Sequence, residues 1–283
     1  YLRQLVFEHH VEGWDDPRMP TLCGLRRRGY TPSAILDFVQ RAGIAKANSL
    51  VYIRLLEHCI REELNRTALR RMAVTEPIKL TITNYPEGKT EYFEVANNPQ
   101  DENAGTRKVP FTGSLYIEKS DFAVVPPPKF QRLKPDGEVR LMGAYIVKCS
   151  EVITDENGEV TEVRCTADLE TGNGMPADGR KVRGTIHWVS AKTAVDADIY
   201  LYSDLFTLEN TNDVPEGTDY LDHLNPESLK KLTGCKLEPS IADVPAGTRM
   251  QFVRMGYDIK DEEAGRFNRI VTLKDSFAKT LSK

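Results

Sequence analysis

Residues 78–83 read Ile-Lys-Leu-Thr-Ile-Thr. Apolar and polar side chains alternate strictly, which is the pattern of a strand with one face buried. Downstream of this stretch, short β-like runs recur at Tyr92–Val95, Ser114–Ile117, Arg140–Lys148, Val160–Thr166, Val182–Val189, Ile199–Tyr202, Arg249–Arg254 and Arg269–Leu273. Turn signals separate them, and Asp155-Glu156-Asn157-Gly158 predicts a hairpin. Many short strands over about 200 residues predict barrels or sandwiches, two of them by length. No alternation of strand and helix suggests a parallel nucleotide-binding sheet.

Upstream, the period is helical. Thr31-Pro32 starts a helix: the hydroxyl caps orphan N–H groups and proline suits the first turn. Ile35, Leu36, Phe38 and Val39 give an apolar stripe, and Gly43 a stop. A second helix begins near Ser49, with Ile53, Leu56, Ile60 and Leu64 on one face and Glu57–Arg61 as an i,i+4 pair. Asn65-Arg66-Thr67 ends it. The earlier stretch His10–Pro32 holds paired Asp, three consecutive Arg, three Pro and three Gly. It reads as neither helix nor strand, yet it is too rich in large side chains for an idle linker.

The 283 residues carry 28% charged and 40% hydrophobic side chains, as a soluble globular chain of about two domains does. No apolar run approaches the ~20 residues of a membrane span, and the first ten residues lack the features of a signal peptide. Five dispersed cysteines without a CxxC pair suggest neither disulfide framework nor zinc ribbon, and a reducing cytoplasm fits them. The net charge of −4 is uneven: residues 1–75 carry 12 Lys+Arg against 8 Asp+Glu, and the remainder 26 against 34. A positive segment on an acidic chain can mark a polyanion-facing surface. There is no GxGxxG, no GxxxxGK[ST] and no HExxH, and the five histidines form no metal-ligand pattern. Thr171–Gly179 is glycine-rich but reads as a surface loop. Neither a metal site nor a catalytic residue is expected. Arginines suit phosphates and base edges.

Several blocks resemble glutaminyl-tRNA synthetases, in the family's order and over nearly the whole chain. They are GWDDPRMPTLCGLRRRGYTP (Gly13–Pro32), CIREELN (Cys59–Asn65), RRMAV (Arg70–Val74), VPFTGSLYIEKSDF (Val109–Phe122), EVRLMGAY (Glu138–Tyr145), ADGRKVRGTIHWVSA (Ala177–Ala191), NPES (Asn225–Ser228) and QFVRMGY (Gln251–Tyr257). GWDDPRMPT alone leaves glutamyl enzymes open; DGRKVRGTIHWVS favours the glutaminyl side. The resemblance implies a class I ligase whose Rossmann catalytic domain, with a HIGH-type motif and a KMSKS-type loop, precedes these residues. Neither motif occurs here, so the chain reads as the C-terminal, tRNA-binding portion and is expected to be inactive alone. ATP, with Mg, belongs to the catalytic domain, and no cofactor is expected in this chain.

The implied fold is mainly β with an N-terminal helical subdomain (1–70). A proximal barrel (71–180, with a C-terminal return at 268–283) and a distal barrel (181–267) follow, both binding the anticodon. The implied partner is tRNA(Gln), with no DNA, no membrane and a monomeric, cytoplasmic protein. Arg26, Arg27 and Arg28 match the region facing the tRNA backbone. Lys46 matches a basic residue near the anticodon stem-loop, and Asn65 and Arg70 flank the crossing from helix to barrel. Arg70, Gln251 and Arg254 are expected around the middle base. Arg132 is expected on the third, a guanine, where a guanidinium can bridge O6 and N7. Lys129 lies nearby. Arg140 is the first of two arginines near the first base. Met142 stands where the second would be, a departure that suits reading both CUG and UUG. Two alternatives remain open: the same region of an archaeal or eukaryotic-type glutamyl-tRNA synthetase, and a β-barrel protein-interaction module without RNA binding.

Overall fold

The structure, a computed structural model, describes residues 1–43 and 53–274. The expected start of the second helix near Ser49 and the last residues of the C-terminal return lie outside them. The described helices are α1 (Leu2–Phe7), α2 (Leu22–Arg28), α3 (Pro32–Ala42) and α4 (Ile53–Thr67). The chain then forms β1 (Leu69–Arg71), β2 (Ala73–Val74), β3 (Pro77–Ile82), β4 (Glu91–Ala96), β5 (Thr106–Phe111), β6 (Ser114–Glu118), β7 (Glu138–Leu141) and β8 (Ile146–Thr154). It continues through β9 (Val160–Asp168), β10 (Thr185–Ile186), β11 (Trp188–Ser190), β12 (Val195–Tyr202), β13 (Leu229–Leu237), β14 (Arg249–Phe252), β15 (Gly256–Lys260) and β16 (Arg266–Thr272). None of the described helices is long and apolar enough to cross a membrane.

The fold is mainly β, with two nearly closed barrel-like sheets. One has the order β10-β7-β8-β9-β3-β6-β11, the other β1-β14-β15-β16-β12-β13-β2. In each, the two edge strands are neighbours in sequence. Only His187 separates β10 from β11, and only Met72 separates β1 from β2. A sheet whose edges are two halves of one strand must curl until they nearly meet, which removes the exposed edges an open sheet would leave. A two-stranded ribbon, β4–β5, stands beside the first sheet.

The sheets do not divide the chain where the sequence reading did. Residues 77–190 form one sheet and the β4–β5 ribbon beside it, and residues 69–74 join 195–272 in the other sheet. The helices pack on the second sheet, Leu56, Ile60 and Leu64 meeting Tyr257, Ile259 and Ile270. The barrel beside the helices is therefore not 71–180 but the one built mostly from C-terminal strands, and β16 returns to it. Contiguous cutting fails because each closure needs a long-range edge pairing: β1 with β14 and β2 with β13 in the second sheet.

Local expectations fared better. Thr31 caps α3, its Oγ1 accepting from the Ala34 N–H at 3.1 Å, and the helix stops at Gly43. Ile35 and Phe38 pack inward while Leu36 and Val39 face outward, since four near-consecutive residues span too wide an arc for one face. Asp155–Gly158 connects β8 to β9 as an antiparallel hairpin. The expected single strand 140–148 is instead β7, a tight turn and β8. The stretch read as irregular holds α2: Thr21 Oγ1 accepts from the Gly24 N–H at 2.9 Å, and Gly29 closes the helix at φ 107°. A Cβ on Gly29 would lie 2.7 Å from Ile270, so its bareness also lets α2 dock on β16.

Phe111 centres the first barrel. Its ring makes edge contacts with Tyr85, Phe93, Tyr145 and Trp188 at centroid distances of 5.0–5.5 Å, and it is fully buried. We predict that Phe111→Ala lowers unfolding free energy by about 3–5 kcal/mol, measured by urea denaturation; a loss below 1 kcal/mol would contradict this packing.

Candidate nucleic-acid interface

The first cluster sits where α4 hands the chain to the second sheet. β1 pairs in parallel with β14, placing Arg70 directly beside Gln251. The Arg70 guanidinium donates to the Ala68 carbonyl, to the Asn65 carbonyl at 2.7 Å and to Asn65 Oδ1 at 3.3 Å. Burial pushes the Arg70 pKa down. Asn65 Oδ1 also accepts from the Tyr257 hydroxyl at 3.3 Å. Asn65 and Arg70 thus share one place with Gln251, which is distant in sequence. Behind them Glu238, fully buried, receives Arg107 Nε at 2.5 Å and Nη2 at 2.8 Å, and the Met72 N–H at 2.9 Å. The seam of the second barrel is held by that carboxylate.

The second cluster sits at the other seam. Asp121 is fully buried and takes both oxygens to Arg254, at 2.6 and 2.7 Å. The Arg132 Nε lies 3.3 Å from the same carboxylate, and its Nη1 donates to the Ser120 carbonyl at 2.9 Å. Arg254, in a tight turn at φ 66°, also donates to His187 Nδ1 at 3.2 Å. Arg254 thus reaches from the second barrel to the seam of the first, beside Arg132.

Arg132 and Lys129 also line an open hollow of about 420 Å³ with Phe130, Gln131, Lys134, Glu138, Lys181, Val182 and Arg183. Five cations meet one carboxylate there. Lys181 and Arg183 were not singled out from the sequence, although the basic run Arg180–Arg183 was a signal available in it. The hollow depends on Gly184, at φ 90°. A Cβ there would lie 1.8 Å from the Gln131 carbonyl oxygen.

Arg140 is occupied internally. Its guanidinium donates to the carbonyls of Ala144 at 3.0 Å, Gly172 at 3.3 Å and Gly174 at 2.5 Å, tying β7 to the glycine-rich surface loop. Met142 packs against the first barrel's core. Lys46 lies outside the described residues.

The Arg26–Arg28 run divides three ways. Arg27 is shared by Glu12, Asp15 and Asp261 at 3.1–3.3 Å. The Arg28 guanidinium lies over the rings of Tyr30 and Tyr202. Arg26 is exposed, and no described side chain pairs with it. It lines a cavity of about 650 Å³ with Cys23, Arg249 and Lys260 among others. The adjoining Asp16 is buried and accepts from Arg18 Nε at 3.0 Å, Arg18 Nη2 at 2.7 Å and the Glu12 N–H at 2.8 Å. Burial alone would raise the Asp16 carboxyl, but these donors bring it below its usual value. Among the described residues, no group of three or more His, Cys, Asp or Glu is placed to hold a metal ion.

Two barrels with arginines from distant strands at their seams, beside a basic hollow, have features that nucleic-acid readers use. Family comparison gives the particular class. Residues 68–168 and 185–261 each match an anticodon-binding domain of class I tRNA synthetases (E and Q), and residues 1–66 match that family's catalytic domain. The chain belongs to this family. The helical part is counted with the catalytic domain, so that domain is partly present rather than wholly missing. Relatives named glutamine–tRNA ligase are similar throughout. That of Bradyrhizobium diazoefficiens is 51% identical over 100% of this chain and 50% of its own length. That of Rhodopirellula baltica is 52% identical over 100% and 47%, and that of Clostridium kluyveri 49% over 98% and 50%. The chain spans about half the length of these curated relatives.

Gly184→Ala should displace the Gln131 segment and lower RNA affinity about tenfold or more, since an added methyl here combines overpacking with an unfavourable positive φ. Unchanged binding in a filter or anisotropy titration would refute the hollow's role. Asp16→Asn should cost roughly 3 kcal/mol at pH 7, as removal of one partner of a buried pair does. The folded pKa of Asp16 lies below the unfolded one. Its stabilisation is therefore complete above the unfolded value, about pH 4, and is lost as pH falls through the folded value. The variant's denaturation midpoint should accordingly respond less to acid than the parent's.

Proposed function

We propose that this chain reads the anticodon of tRNA(Gln), as the tRNA-binding portion of a glutamine–tRNA ligase whose whole-protein reaction joins glutamine to that tRNA at the expense of ATP. The helices serve as a connecting subdomain, the sheet beside them as the proximal barrel and the sheet of residues 77–190 as the distal one. Arg70, Asn65 and Gln251, with Arg254, receive the middle base. Arg132 and Lys129 receive the third base in the basic hollow, to which Lys134, Lys181 and Arg183 add attraction for its phosphates. Arg26 is the exposed member of its run and meets the RNA backbone, with Arg27 and Arg28 bracing α2. Arg140 shapes the loop near the first base through carbonyl contacts.

The observation that carries this reading is the convergence of Arg132 and Arg254 on one buried carboxylate, at the rim of a hollow rich in cations. Sequence-specific RNA readers take unstacked loop bases and contact their edges. Guanidinium groups fixed in orientation, with part of each still exposed, suit that task. Local positive potential also lets a chain of net charge −4 attract RNA.

The test is binding of the purified chain to tRNA(Gln) and to a form whose last anticodon base is changed from G to C, at two salt concentrations. Loss of a bidentate contact predicts about 1–3 kcal/mol weaker binding of the variant, and Arg132→Ala should erase the difference. Arg26→Glu should weaken both tRNAs equally and flatten the salt dependence. Equal affinity of the wild-type chain for both tRNAs would overturn base readout; preference for C would favour a glutamyl-type partner.

A further inference from the structure

Asp121 belongs to neither barrel's regular strands, and no base can reach it, since its side chain is only 1% exposed. Yet it contacts both arginines assigned to separate bases. Arg254 grips it with two nitrogens, and Arg132 approaches the oxygen that Arg254 Nη2 also uses. The backbone locks the two segments together, the Leu133 N–H donating to the Asp121 carbonyl at 3.0 Å and the Ala123 N–H to the Leu133 carbonyl at 3.2 Å. Below the carboxylate lies buried His187, in the seam between β10 and β11. An arginine nitrogen can only donate, so His187 Nδ1 accepts from Arg254 and its proton sits on Nε2. That Nε2 lies 3.7 Å from Glu118. Glu118 in turn accepts the Thr75 and Glu76 N–H groups, each at 2.8 Å, fixing the passage from β2 to β3. From the other side, Arg269 donates to the Met255 carbonyl at 3.3 Å and so steadies the turn carrying Arg254.

We propose that Asp121 is a positioning residue that couples the reading of the middle and third anticodon bases across the two barrels. The proposal rests on the base assignments given above. Asp121 carries a single negative charge between two guanidinium groups, so each cation offsets part of the carboxylate's pull on the other. When a guanine engages Arg132, that arginine is drawn outward and Asp121 is left to orient Arg254. When the third base is wrong, Arg132 stays beside Asp121, 3.3 Å away, and its charge offsets part of the carboxylate's hold on Arg254, so a second wrong base costs less than it would alone.

The test is a two-base cycle: the wild-type chain and Asp121→Asn are titrated with tRNA(Gln) carrying the natural anticodon, a changed middle base, a changed third base, or both. For the wild type, the loss in the doubly changed tRNA should fall short of the product of the single losses by about tenfold, within the range of coupling between groups that share a partner. In Asp121→Asn the losses should multiply, with the salt dependence of binding unchanged. Should that variant not fold, Asp121→Ser serves instead: it removes the carboxylate while leaving both arginines in place, and it too should give multiplying losses. Multiplying losses in the wild type, or undiminished coupling in the folded variants, would overturn the proposal while leaving base readout standing. A wild-type chain indifferent to both single changes would overturn the anticodon reading itself, and this proposal with it.

Discussion

Both sheets are closed by the same constraint: their two edges are halves of one short strand, broken at a single residue. Met72 is the break in one barrel and His187 in the other. A strand that serves two edges cannot satisfy every backbone and side-chain polar group by sheet pairing, and a buried group left unpaired is costly. At the Met72 break carboxylates meet that demand: Glu238 takes the Met72 N–H, and Glu118 takes those of Thr75 and Glu76. At the His187 break Arg254 donates to His187 Nδ1, and Asp121 holds Arg254 in turn. Each carboxylate is almost wholly buried and each is matched by donors, which is the condition under which charge can stay in an interior.

The arginines proposed to meet RNA are placed by these seams. Arg70 lies two residues before Met72 and is fixed beside Gln251 by the edge pairing that closes the second barrel. Arg132 and Arg254 are aimed by the carboxylate next to His187. The orientation of Arg70 and Arg254 is thus set before any ligand arrives, and little of their side-chain entropy remains to be lost on binding. Arg27, Arg140 and Arg107, like Arg70, also hold carboxylates or carbonyls of the protein itself. Exposed cations, Lys129, Arg132, Lys181 and Arg183, gather at the hollow, which is how an acidic chain can still present positive ground.

What was legible in the sequence was local. The alternation at residues 78–83 gave β3, Thr31-Pro32 gave the start of α3, and Asp155–Gly158 gave a hairpin, because each signal lies within a few residues. The family blocks gave the two barrels and the function class. Sheet membership was not legible: β1 with β14, or β12 with β16, joins residues too distant for any periodicity to reveal. The short helix α2 escaped notice because a glycine and flanking prolines mask its period, although Thr21 and Gly29 mark its ends. Among site residues, the pairing of Arg70 with Gln251 followed from the family's order of blocks. Asp121 could not be picked from 42 acidic residues, since only the fold places it between Arg132 and Arg254. Lys181 and Arg183 could have been found from their charge density.

The most direct measurement is a structure of this chain bound to the anticodon stem-loop of tRNA(Gln). The account predicts unstacked anticodon bases at the barrel seams. The third base should face Arg132 in the basic hollow, and the middle base should lie between Arg70 and Gln251. An intact, stacked loop resting on the helices, with the hollow empty, would contradict it.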